Sequence, residues 1–209
     1  MSNALAEIAA EVARINPLDE LEVRHQRETL EWLGVTADVF RRIADPVAPV
    51  RHLVSYFLVV DPHGGVVLLG DHVKANLWLP SGGHVEPGEH PADTVVRECR
   101  EELGIDAVFH SAVGRHPLFI TITDTAGASN VHNDVSLWFV LGHARDTVLA
   151  VDPREYRSVR WWSPSAIHRE DPALFDPHMR RMLSKLDAAG ITRATGTVGG
   201  TAPSPMEPS

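Results

Sequence analysis

The chain has 209 residues, 44% of them hydrophobic, which suffices for one compact domain with an appendage. Its formal net charge of −9 argues against a general binder of nucleic-acid polymers, and its single cysteine, Cys99, excludes an intrachain disulfide and a cysteine zinc cluster. The N-terminal residues lack a basic start and a continuous apolar run, and no stretch reaches the roughly 18 apolar residues of a membrane span, so the expectation is a soluble, cytoplasmic protein.

Leu5, Ile8, Ala9, Val12 and Ile15 recur at helical spacing, and Pro17 ends that run. Asp19 can cap a second helix closed by Gly34, and Thr36 can start a short third one that stops before Pro46. These form a helical N-terminal extension over residues 1–48. The texture then changes to β-branched and aromatic residues. HLVSYFLVV at 52–60, a turn at 61–65 and the following VVLLG make a hairpin. Further strand-like runs lie at 107–114, 117–124, 135–142 and 157–163, with helical patterns at 91–103 and 176–189. In the last strand Trp161 and Trp162 point to opposite faces, so one belongs to the core. Residues 191–209 are small, polar and proline-containing, which predicts a disordered tail. Strands flanked by helices, with runs of hairpin connections, suggest a mixed sheet sandwiched between helices.

One stretch carries more than fold. Residues 83–105 read GHVEPGEHPADTVVRECREELGI. Pro91 suits a first helical position and Gly104 the residue just past the end. Ala92, Val95, Val96, Cys99 and Leu103 share an apolar face, whereas Glu98, Glu101 and Glu102 lie on another. Like charges one turn apart destabilise a helix. Arg97 and Arg100 are too few to neutralise them all, and a glycine-rich loop, Ser81-Gly82-Gly83, precedes them. Several oxygen ligands on one rigid face suit a hard divalent ion, Mg²⁺ or Mn²⁺. A solvated acidic face is the bland alternative.

The pattern of Gly83, five residues, Glu89, seven residues and Arg97-Glu98-Cys99-Arg100-Glu101-Glu102-Leu103-Gly104-Ile105 resembles the signature box of the Nudix hydrolases. Cys99 stands where that family usually has a larger aliphatic residue. The resemblance implies the family's α/β/α sandwich, extending over residues 49–190. It also implies hydrolysis of a nucleoside diphosphate linked to another group, with Glu98, Glu101 and Glu102 as metal ligands and one of them as a possible base. The carbonyl of Gly82 would be a further ligand. Arg97 would hold the acids in place, with Glu89 as its partner; an ordinary pair with Glu101 is compatible with that role.

Outside the box, Glu155 lies in a loop before the last strand, where many members of that family place an additional carboxylate as ligand or base. His84, His132 and Asp134 are candidates for substrate contact. Three readings stay open for the N-terminal helices: covering the site, forming a homodimer, or packing on the sheet. Two stay open beside a nucleotide pyrophosphohydrolase: an ADP-ribose or nucleotide-sugar pyrophosphatase, and a non-catalytic nucleotide-sensing module. The second usually lacks box carboxylates, and here all are present. The substrate itself is not legible.

Overall fold

The computed structural model describes residues 3–36, 39–40, 50–126 and 131–192. Two helices, α1 (Asn3–Arg14) and α2 (Glu20–Val35), precede strands β1 (Val50–Val60), β2 (Val67–His72), β3 (Trp78–Leu79) and β4 (Ser81–His84). Helix α3 (Pro91–Leu103) follows, then β5 (Phe119–Ala126), β6 (Val131–Gly142), β7 (Tyr156–Trp162), α4 (Pro164–Arg169) and α5 (Met179–Ala188).

The seven strands form one mixed sheet. β1 runs parallel to β6 along its whole length. On its other side β1 pairs antiparallel with β2 through Val59 and Val60, and with β4 through Val54 to Phe57. β7 pairs with β2, and β5 with β6, both antiparallel. Alternation along the strands divides the core. Phe57, Leu137, Phe139 and Leu141 face a layer containing α1, α2 and α3; Leu58, Trp138 and Val140 face α4 and α5. Trp161 packs at the edge of the first layer and Trp162 is buried in the second, as period-two geometry requires. The architecture is the expected α/β/α sandwich with N-terminal helices.

The helical extension is part of this core. Leu5, Ile8, Val12 and Ile15 of the α1 stripe and its exit are all at most 4% exposed, packed with residues of β1, β5 and β6. Burying four such side chains contributes on the order of 10 kcal/mol of gross stabilisation. α2 lies along β5, where His25 Nδ1 accepts the backbone N–H of Ile122 at 3.2 Å. That bond satisfies a donor on an edge strand, a position otherwise open to pairing with another chain.

Several local expectations are corrected. Asp19 does cap α2, accepting from the Glu22 N–H, but Gly34 sits inside the helix and Thr36 is its C-cap. The third helix falls largely outside the described residues; Thr36, Val39 and Phe40 are not helical. Residues 107–114 form no strand, only an isolated bridge from Phe109 to Leu141. α5 begins three residues later than its sequence pattern suggests. Ile191, which the sequence pattern assigns to the tail, is 5% exposed within the second core layer; residues 193–209 lie outside the described residues. Among the described residues no helix is long and apolar enough to cross a membrane.

Candidate active site

α3 forms where its termini dictate. His90 caps it, its Nδ1 accepting the Ala92 N–H, Pro91 opens it, and Gly104 closes it in the left-handed region at φ 67°. Val95, Cys99 and Leu103 are fully buried against the sheet, so the other faces of the helix are fixed in rotation. Cys99 fills its place as a small apolar residue, with burial pushing its thiol up to about 12.

Ser81-Gly82-Gly83 is not a loop. It is part of β4, hydrogen-bonded to β1. The glycines are needed for space. Gly82 has φ 147°, and a Cβ there would strike the Ser55 carbonyl. A Cβ on Gly83 would occupy the position of the Glu98 carboxylate. The bare strand thus lets acids from α3 reach a cavity of about 580 Å³. Its lining includes Glu98, Glu102, Asp134 and Glu155, together with Tyr56 and Tyr156. The described residues that line it all come from position 54 onward, so neither α1 nor α2 contributes.

Arg97 organises the acids. Its Nε and Nη2 donate to the two oxygens of Glu89 at 3.0 and 3.1 Å. Nη1 donates to Glu98 Oε1 at 2.6 Å and, more loosely, to Glu101 Oε2 at 3.5 Å. Nη2 also reaches the His84 carbonyl. The bidentate Glu89 pair and the i,i+4 contact with Glu101 therefore coexist. Burial works against the charge of Glu89, but the bonds from Arg97, the Glu86 N–H and Thr94 outweigh it and hold that carboxyl below its ordinary value.

The three helix carboxylates do not share one solvated face. Glu102 is 7% exposed and Oε2 accepts from the Gly82 N–H at 3.1 Å and the Tyr156 hydroxyl at 2.8 Å. Burial pushes its carboxyl up to about 7 despite those bonds, with the Glu98 charge adding to the rise. Burial raises Glu98 as well, against the pull of Arg97. Glu101 has a side chain 60% exposed, at the outer side of Arg97.

Among the described residues no three His, Cys, Asp or Glu side chains are gathered around one point that would hold a metal. The donor chemistry nevertheless fits a hard cation. One buried carboxylate, Glu102, and one partly buried, Glu98, face one cavity, both lifted above their ordinary values by burial. A divalent ion would offset that penalty, and oxygen-only ligands suit Mg²⁺ or Mn²⁺.

Glu155 sits in the turn before β7 and lines the same cavity, 3.5 Å from Lys74 Nζ and 3.6 Å from His72 Nε2. Asp152, three residues earlier, instead pairs with Arg154, whose hydrogen bonds lower its carboxyl to about 2. His84 and Asp134 also line the cavity. His132 stands in β6 opposite Val50; its side chain lies outside the described residues. Tyr156, Tyr56 and His52 escaped the sequence reading. The signal for two of them was present: His52, Val54 and Tyr56 alternate on one face of β1.

A mixed sheet between helical layers, with a glycine strand admitting helix carboxylates to an open cavity, defines an α/β/α sandwich class with an acid-lined site. A family model for the NUDIX domain matches residues 49–186, and the chain belongs to that family. It is 34% identical over 110 residues to an uncharacterised Nudix hydrolase of Rhodococcus erythropolis, covering 50% of this chain and 57% of that one. It is 60% identical over 69 residues to a pig bis(5'-nucleosyl)-tetraphosphatase (asymmetrical), covering 33% of this chain and 40% of that one. The chain thus spans little more than half the length of these relatives at most. A crystal structure of a NUDIX-family hydrolase from Clostridium perfringens superposes with a TM-score of 0.51 at 21% identity, covering 66% of this chain and 97% of that one. That likeness concerns the fold.

Proposed function

We propose that the protein is a divalent-metal-dependent pyrophosphohydrolase that cleaves the diphosphate linkage of a small nucleotide. The observation that carries this reading is the Arg97 cluster: one guanidinium fixes Glu89 and Glu98 while Glu102 is buried beside the same cavity. Glu98 and Glu102 would hold Mg²⁺ or Mn²⁺, with the Gly82 carbonyl as a further oxygen and Glu101 as the outer member of the set. When bound, such an ion supplies charge neutralisation for a phosphate chain and makes a water more acidic.

The chain's own groups do the rest. Arg97 keeps Glu98 aimed past Gly83. Tyr156 and the Gly82 N–H hold Glu102 in one rotamer, which preorganises the site. Glu155 at the cavity wall accepts the proton of the attacking water. His84, Asp134 and His132 serve the substrate. Local identity to a bis(5'-nucleosyl)-tetraphosphatase favours dinucleoside polyphosphates as the first substrates to try. The test is a panel of dinucleoside polyphosphates, nucleoside triphosphates, ADP-ribose and nucleotide sugars, with products identified by mass. Release of a nucleoside phosphate from at least one class is expected; binding without turnover across the panel would favour a sensing module.

Glu155 has its own test. Glu155→Gln should lower kcat about 10²-fold with a smaller change in KM, because a base acts in the transition state. Asp152→Asn, whose side chain is turned to Arg154, should change neither beyond about twofold. Equal small effects in steady-state kinetics would return Glu155 to the role of a loop carboxylate paired with Lys74.

A further inference from the structure

A phosphate chain entering the cavity meets mostly its own sign of charge. Among the described residues, Glu86, Glu98, Glu102, Asp134 and Glu155 line it, against two full cations, Arg97 and Lys74. Arg97 is committed, because each of its guanidinium nitrogens already donates to a carboxylate or a carbonyl. Lys74 is held far less firmly. Its side chain is 75% exposed, and its Nζ stands 3.5 Å from Glu155 Oε1, well beyond the roughly 2.8 Å of a charge-assisted hydrogen bond. An exposed ion pair of that length holds weakly, so its ammonium can be exchanged to another anion.

The backbone beneath Lys74 is fixed. Lys74 lies in the turn between β2 and β3, where Asn76 takes the left-handed region at φ 55°. The His72 N–H donates to the Leu77 carbonyl at 2.9 Å, and the Asn76 N–H to the His72 carbonyl at 3.0 Å. The Ala75 N–H donates to His72 Nδ1 at 3.0 Å. Arg157 of β7 ties the turn from both sides of Lys74. Its Nη1 donates to Asp71 Oδ1 at 2.8 Å, and its Nη2 to the Val73 carbonyl at 2.9 Å and to Asn76 Oδ1. The Val73 N–H in turn donates to the Glu155 carbonyl at 2.8 Å. The turn therefore keeps the Lys74 Cα in one place at the cavity wall, while the long side chain keeps its reach.

We propose that Lys74 is a substrate-binding residue whose ammonium leaves Glu155 for a phosphate oxygen of the bound nucleotide, and that Arg157 is the positioning residue that holds the turn for it. The proposal rests on the pyrophosphohydrolase reading above and adds a group that recognises the phosphate chain. The same exchange releases Glu155 from Lys74 as the substrate arrives. Sequence alone gives no hint of it, because the turn meets residues 155–157 only through the pairing of β2 with β7.

The experiment pairs steady-state kinetics on the best substrate of the panel with calorimetric binding of adenosine 5'-(α,β-methylene)diphosphate, whose bridge resists hydrolysis. Both use the full chain with Mg²⁺. Lys74→Gln should raise KM and weaken analogue binding about 10-fold, the scale of one hydrogen bond to a charged group, with kcat within about threefold of wild type. Lys74→Arg should recover most of both. Added salt should weaken analogue binding more in wild type than in Lys74→Gln. Arg157→Gln should raise KM in the same direction, and Lys74→Gln/Arg157→Gln should be no worse than Lys74→Gln alone, because both act through one ammonium. Hydrolysis with KM and analogue binding unchanged in Lys74→Gln overturns the proposal and leaves the reaction standing. A change in kcat alone overturns it too, since Lys74 would then act only as a neighbour of Glu155. Effects that multiply in the double variant would overturn the positioning role of Arg157. A wild type that binds the analogue through Lys74 yet hydrolyses nothing on the panel would keep the phosphate contact and overturn the reaction instead.

Discussion

Glu102→Gln is expected to lower the hydrolysis rate by at least about 10²-fold, the scale of losing a preorganised electrostatic contact, yet to stabilise the metal-free protein above neutral pH. Both effects come from one carboxyl. Burial lifts it to about 7, while in the unfolded chain the same carboxyl ionises near 4.5. Because the folded value is the higher one, the folded state holds the proton more tightly. The stability this confers is fully present below about 4.5 and is lost as pH rises through 7. Above 7 the charged, buried Glu102 opposes folding by about 3 kcal/mol. Glutamine is neutral throughout and of the same size, so the variant escapes that penalty. Melting curves in chelator at pH 5 and pH 8 check this: wild type should melt lower at pH 8 relative to the variant, and Mg²⁺ should narrow the gap. A wild-type enzyme and variant with equal rates would remove Glu102 from the mechanism.

Lys185→Met should cost about 3–5 kcal/mol, or roughly 10 °C in melting temperature for a chain of this size. Lys185 Nζ lies 2.8 and 2.9 Å from the two oxygens of Glu22 and also donates to the Asn16 carbonyl. Glu22 is fully buried and Lys185 is 6% exposed. Removing the cation alone leaves a carboxylate without its counter-charge between α2 and α5. The double variant Glu22→Gln/Lys185→Met removes both charges and keeps an acceptor for the Leu18 N–H, which Glu22 Oε2 now serves. It should regain more than half of the loss. A single variant melting within 2 °C of wild type, about the shift for 1 kcal/mol or less, would show that the N-terminal helices are not locked to the C-terminal one through this pair.

That lock explains part of what the sequence left open. α1 and α2 read as an appendage because their partners are distant in the chain: Lys185 for Glu22, Ile122 for His25, and Arg181, whose guanidinium holds the Asp19 carboxylate. The limits of α3 were legible because proline, glycine and apolar spacing are local signals, and Arg97 with Glu89 was legible because the spacing is fixed. The burial of Glu102 was not. A glutamate among charges reads as solvated, and only the glycine strand beside it, itself mistaken for a loop, shows that it is enclosed. Ser81–His84 became a strand because pairing with β1 overrides the weak strand tendency of glycine. The run at 107–114 failed in the opposite way: its residues suit a strand, but only Phe109 finds a bridge. Helix α4 has six residues, too few for periodicity to show.

The most direct measurement of the central claim, that α3 carboxylates act through a divalent ion on a nucleotide diphosphate, is product release from the best substrate of the panel before and after chelation. With Mg²⁺ or Mn²⁺ a nucleoside phosphate should accumulate; in EDTA it should fall to background and return when the ion is restored in excess. Undiminished release in chelator would contradict the account, and the carboxylates behind Gly82 and Gly83 would then need another explanation.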